Sequence, residues 1–125
     1  MRKKASTVDA KVNKAIADLA LSVVKEVAPD TPILTGQAQS NWITSVGAPI
    51  NYYSVNPYMN NAAQESIDYA RSVLQGYNGG VIHIVNNVPY IAELNRGTSR
   101  QAPALFVQTA ILRATYKFKS IKLNL

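Results

Sequence analysis

The chain has 125 residues, 47% hydrophobic and 16% charged; this suits one globular domain that buries a core without disulfides or metal, and it excludes wholesale disorder. It has no cysteine, which excludes a disulfide framework, a thiolate metal site and a cysteine nucleophile. The formal net charge of +6 permits attraction to nucleic acid or to an acidic partner and says nothing about fold.

Residues 1–7 read as a flexible basic arm carrying Arg2, Lys3 and Lys4. No signal-peptide core or cleavage site follows, so no export signal is predicted. From Val8 an apolar stripe runs through Val12, Ile16, Leu19, Val23 and Val27. Its steps of three and four predict a helix, with Lys11, Lys14, Asp18 and Lys25 on the opposite side. Thr7 is placed to cap it, Asp9 suits its first turn, and Pro29 and Pro32 end it. The stretch from Ile16 to Val27 is interrupted by Asp18, Ser22, Lys25 and Glu26, so no membrane span is predicted.

A turn over Asp30–Gly36 and a short helical turn over Gln37–Asn41 come next. Trp42–Val46 reads as a strand closed by Gly47 and Pro49. Residues 51–57 are irregular and tyrosine-rich. A second helix is predicted from Asn61, where Asn61 and Gln64 resemble a capping box. Ala63, Ile67, Ala70 and Leu74 form its stripe, and Gly76 sits just past its end. After the Asn78–Gly80 turn, Val81–Val85 is so apolar that both faces of this strand are expected to be covered. Asn86 and Asn87 stop it. Pro89–Leu94 reads as a short helix with proline at its first position, followed by a basic turn over Arg96–Arg100. A third long helix has Pro103 near its start, a stripe of Val107, Ile111, Ala114 and Phe118, and Arg113 and Lys117 near its end. Ile121, Leu123 and Leu125 alternate with polar residues as a weak strand signal.

The predicted fold class is α+β: about three helices packed on a small, mainly antiparallel β-sheet in a single domain. Residues 8–118 form that domain, with 119–125 as a C-terminal extension. The cations gather at the ends: Arg2, Lys3, Lys4, Lys11 and Lys14, then Arg113, Lys117, Lys119 and Lys122. Two solvated faces explain them most simply, since a basic patch is only an electrostatic footprint.

Catalytic, cofactor and metal sites are all predicted to be absent. His83, the one histidine, lies in an apolar strand and reads as a core or sheet-face residue, because a general base needs a positioned partner and a proton path. One histidine without cysteine argues against structural zinc. Glu65 and Asp68 supply too few oxygens for a hard cation. Gly76–Gly80 lacks the lysine and hydroxyl of a phosphate loop, and there is no nucleophile-elbow motif. Glu93 is spaced to pair with Arg96. Tyr52, Tyr53 and Tyr58 lack the interleaved cations of a base-stacking groove and fit an interface or core role better.

Two segments carry a resemblance. One is Thr31-Pro-Ile-Leu-Thr35-Gly36, running on to Asn41-Trp42. The other is Val81–Tyr90 with Asn86-Asn87-Val-Pro89-Tyr90, continuing through Glu93, Gly97-Thr98-Ser99 and Gln101-Ala-Pro103. In this order, over roughly residues 29–118, the chain resembles the small neck, tail-completion and minor tail (tail-terminator-like) proteins of tailed bacteriophages. It departs from their pattern at Leu94-Asn95-Arg96-Gly97, where family members often carry Glu before the glycine. The motif residues Thr35, Gly36, Trp42, Asn86, Asn87, Pro89, Tyr90, Glu93, Gly97, Thr98 and Pro103 make sense as structural or interface positions. Glycine permits tight turns, asparagine ends strands by bonding the backbone, and proline opens helical turns.

The resemblance implies a non-enzymatic virion protein, made in the host cytoplasm. It would assemble as a homo-oligomeric ring, a hexamer first and a dodecamer as the alternative. Its partners would be a connector or stopper neck protein on one side and the tail-tube protein on the other. DNA would pass through the channel without sequence-specific binding, and no membrane is involved. A conduit must release its DNA, so the basic ends are expected to face outward or to meet acidic neighbours. The competing reading is a basic nucleic-acid-binding or assembly accessory protein, whose affinity would fall steeply with salt.

Overall fold

The computed structural model describes residues 7–32, 37–55, 61–97 and 105–119. Helix α1 spans Thr7–Asp30, short α2 Gln37–Ser40, strand β1 Ile43–Val46, helix α3 Ala62–Leu74, strand β2 Ile82–Val85, short α4 Ile91–Asn95 and helix α5 Phe106–Lys119. Among these residues there are thus three long helices and two short ones. The sheet has two strands and is antiparallel, with Ile43 opposite Val85 and Val46 opposite Ile82. Thr35, Gly36, Thr98 and Pro103, residues 1–6 of the basic arm and the strand expected at 121–125 lie outside the described residues.

α1 forms where the stripe predicts, but its burial differs. The helix packs between α5 and α3. Its fully covered positions are Ala15, Ala20, Val24, Val27 and Ala28, while Ile16 remains 40% exposed. A helix flanked on two sides needs small side chains where its neighbours come close, and alanines add little to a hydrophobic stripe. Lys11, Lys14, Asp18 and Lys25 are exposed, as expected. The helix also runs one residue beyond Pro29: a proline in the last turn removes one N–H without blocking the residue after it. Thr7, expected as the cap, is itself helical.

α3 buries Ala62, Ser66, Ile67, Ala70 and Leu74, close to the predicted stripe. The capping box does not form. Asn61 is left-handed, with φ 57°, and its side chain caps nothing; Gln64 instead donates to Asp68 Oδ1 at 2.8 Å. Asparagine tolerates that conformation better than most residues. At the other end Gly76, with φ 74°, turns the chain out of the helix.

The β1–β2 sheet sets one face on the core. Thr44 and Ile84 are register partners; Thr44 is fully buried and Ile84 packs against the core cluster. The other face carries Ser45 opposite His83. The expected coverage of both faces of β2 is therefore overturned: its four residues are all half-buried and Val81 is 63% exposed. Among the described residues the helices that pack on the sheet are α3, on β1, and α1, on β2, a single helical layer. Gly80, with φ 101°, sits so close to this sheet that a Cβ would approach Val46 Cγ1 to 3.1 Å.

α4 starts at Ile91, with Tyr90 as its N-cap. Pro89 therefore belongs to the preceding turn, closed by the Ile91 N–H to the Val88 carbonyl at 3.1 Å, and is not the first helical residue. The proline ring suits this turn because its φ is already fixed.

α5 buries Phe106, Ala110 and Ala114, with Val107 partly covered. The predicted stripe ran through Ile111, which is exposed; Phe118's side chain lies outside the described ones. The helix docks by the phenylalanine and alanine face against α1. Arg113 pairs across that junction with Asp30 and, at 3.7 Å, with Glu26. Leu105, before the first residue of α5, is left-handed with φ 61°. Asn95 of α4 substitutes for a cap, its Oδ1 accepting the Val107 N–H at 2.9 Å. A leucine in left-handed backbone costs roughly 1–2 kcal/mol. Leu105→Gly is thus expected to raise stability by up to about 1 kcal/mol, read from urea unfolding midpoints.

Candidate functional site

Among the described motif residues, Thr31, Asn41, Trp42, Asn86 and Asn87 meet in one region, where residues 41–55 lie against α2, α3 and the segment after β2. At its base lies a buried polar network. Trp42 Nε1 donates to Thr31 Oγ1 at 2.9 Å, and Thr31 Oγ1 donates to the Val27 carbonyl at 2.8 Å. Gln39 Nε2 donates to the Thr31 carbonyl at 2.8 Å. The Trp42 N–H donates to Ser66 Oγ at 3.1 Å, and that hydroxyl donates to the Gln39 carbonyl at 2.6 Å. Each buried donor thus meets an acceptor, as burial of polar groups requires. The network ties the end of α1, α2, β1 and α3 into one body. Thr44 Oγ1 is the exception, buried without a partner among the described residues.

Above this base, three asparagines hold the irregular chain. Asn41 is 1% exposed. Its amide donates to Gln37 O at 2.7 Å and Ser54 O at 2.8 Å, and its Oδ1 accepts the Ser54 N–H at 2.7 Å. Asn86 Nδ2 donates to Ala38 O at 2.9 Å, while its Oδ1 accepts the Val88 N–H at 3.1 Å. Asn87 Nδ2 donates to Ile50 O at 2.8 Å and Tyr52 O at 3.1 Å. The Asn-Asn pair therefore ends β2, as expected, and also fastens residues 50–52, which its local sequence does not disclose.

Tyr90 packs half-buried against the core cluster. Burial, and secondarily the neighbouring Tyr53, push its hydroxyl above the ordinary tyrosine pKa. A raised value in the folded state contributes stability below the ordinary pKa of about 10 and loses it as pH rises through the folded value. Tyr90→Phe is expected to lose less stability than the parent chain as pH rises above about 10, measured as urea midpoints.

The remaining motif residues stand apart from this region. Glu93 and Arg96 pair at 3.7 Å with both side chains well exposed, a contact worth less than about 1 kcal/mol. Gly97, with φ 95°, closes the turn after α4 by donating its N–H to Leu94 O at 3.1 Å. Pro89 is exposed. His83 lies on the outer sheet face, its Nε2 3.1 Å from the Gly47 carbonyl oxygen. Among the described residues no group of three or more His, Asp or Glu side chains is arranged to hold a metal ion, and no helix is long and apolar enough to cross a membrane.

The concavity of the region is a cavity of about 180 Å³ lined by Ser40, Asn41, Trp42, Ile43, Tyr52, Ser54, Glu65 and Tyr69. Tyr52 and Tyr69 are exposed. It offers aromatic walls, backbone-held polar groups and one carboxylate, a set suited to binding. Sequence reading notices Trp42 and Tyr52. It misses Tyr69 and the placement of Glu65, since both look like ordinary solvent positions on α3. No protein-family model, curated protein or solved structure matches this chain.

Proposed function

We propose that this chain is a non-catalytic structural subunit of the neck or upper tail of a tailed bacteriophage. Copies form a ring around the DNA channel, and the ring joins a connector or stopper protein to the tail tube. The observation that carries this reading is the ordered motif series from Thr31 through Asn41-Trp42 and Asn86-Asn87-Val-Pro89-Tyr90 to Gly97. Support also comes from the surface. Leu112 and Tyr116 on α5 are 70% and 78% exposed, and large apolar side chains left in water are material for contacts between subunits.

The alternative of a basic nucleic-acid-binding or accessory protein draws less support. Lys14, Arg71, Arg96 and Arg113 each face a carboxylate of their own chain, which lowers the field they can offer to phosphates. Calibrated immunoblotting of density-purified particles tests the proposal. A copy number near one small ring per particle is expected. Absence from clean particles would overturn it, and salt-dependent DNA binding would then be measured.

A further inference from the structure

Seven acidic residues occur in the chain, and all lie among the described residues. Asp18 pairs with Lys14, Glu26 and Asp30 with Arg113, Asp68 with Arg71, and Glu93 with Arg96. Asp9 is also engaged. The carboxylate of Glu65 alone has no partner among the described residues, and it is the one that lines the cavity beside Tyr52 and Tyr69. An uncompensated carboxylate that lines a cavity together with two tyrosines suits a cation: the charge attracts it, and aromatic rings favour ammonium or guanidinium groups over their faces.

We infer that this cavity receives a lysine or arginine side chain from the Arg2-Lys3-Lys4 run of a second copy of this chain. That run is the densest cationic stretch in the sequence. The run lies three to five positions ahead of Thr7, a separation the chain can span over at most roughly 18 Å. Cavity and arm are different parts of one chain, so each subunit offers a socket and a plug. Such head-to-tail contacts are the kind that close into rings. The inference rests on the ring reading and names one contact within it.

The test is sedimentation velocity of the full chain at low and high salt, with circular dichroism to verify folding. The parent chain is expected to sediment as an oligomer that weakens as salt screens the contact. Glu65→Lys and a triple arm reversal, Arg2→Glu with Lys3→Glu and Lys4→Glu, should each weaken association by about tenfold or more. Combining the two reversals should restore it. Glu65→Gln should weaken it without any change in fold. A parent chain that stays monomeric at all concentrations overturns the inference, and so does an oligomer indifferent to Glu65→Lys. Disruption without rescue by the combined variant also overturns it, because the arm is then not the occupant. The neck reading stands or falls separately, on the particle copy number.

Discussion

Phe106→Ala is expected to lower the unfolding free energy by about 3–5 kcal/mol, which for a chain of this size displaces the melting temperature downward by roughly 10–20 °C. Phe106 is 1% exposed and the bulkiest of the fully buried side chains. It packs in one cluster with Val24, Val27 and Ala28 of α1, Trp42, Ile67 and Ala70 of α3, and Leu94 and Ala110. Its neighbours include several alanines, which cannot extend to fill the vacated volume, so the cavity penalty should add to the lost transfer energy. The side chain is also the first of α5, and removing it loosens the anchor that sets that helix against α1. Calorimetry or urea unfolding would measure the loss. Leu112→Ser, on the exposed side of the same helix, should leave monomer stability within about 0.5 kcal/mol. A Phe106→Ala loss no larger than that would show that α5 is not docked as described.

Asn41→Ala should cost about 2–3 kcal/mol, with a local signature. Its amide makes three hydrogen bonds within a nearly closed site. Truncation leaves the Gln37 carbonyl and both backbone groups of Ser54 without those partners, and stranded buried groups pay their full desolvation cost. Among the described residues, the segment holding Tyr52 then keeps the Asn87 bonds to Ile50 and Tyr52. Hydrogen exchange should show the Ser54 amide losing protection while the amides of α3 keep theirs relative to the global stability. Uniform loss across the molecule would mean that Asn41 supports the core as a whole rather than fastening the 51–55 segment. Because Tyr52 lines the cavity, the variant should also weaken association between copies.

Sequence by itself determined the features governed by neighbouring residues. The positions of α1, α3, β1 and β2 follow from apolar periodicity, and their stops at Gly47, Gly76 and Asn86-Asn87 follow from backbone chemistry that acts over two or three residues. The Glu93–Arg96 pair follows from helical spacing alone. What the sequence left open was every matter settled by contact between distant segments. Alanine carries almost no amphipathic signal, so of the alanines packed at Ala20, Ala28, Ala110 and Ala114 only Ala114 was read into a stripe, and Ile16 and Ile111 were assigned to the core instead. The cap of α5 is lent by Asn95 from another helix, and Arg113 finds its carboxylates on α1, 83 residues away in the case of Asp30. The cavity is the clearest instance. Trp42, Tyr52, Glu65 and Tyr69 come from three separate segments, and only the folding of α3 against β1, with Asn41 and Asn87 drawing in the chain between, places one carboxylate among those rings.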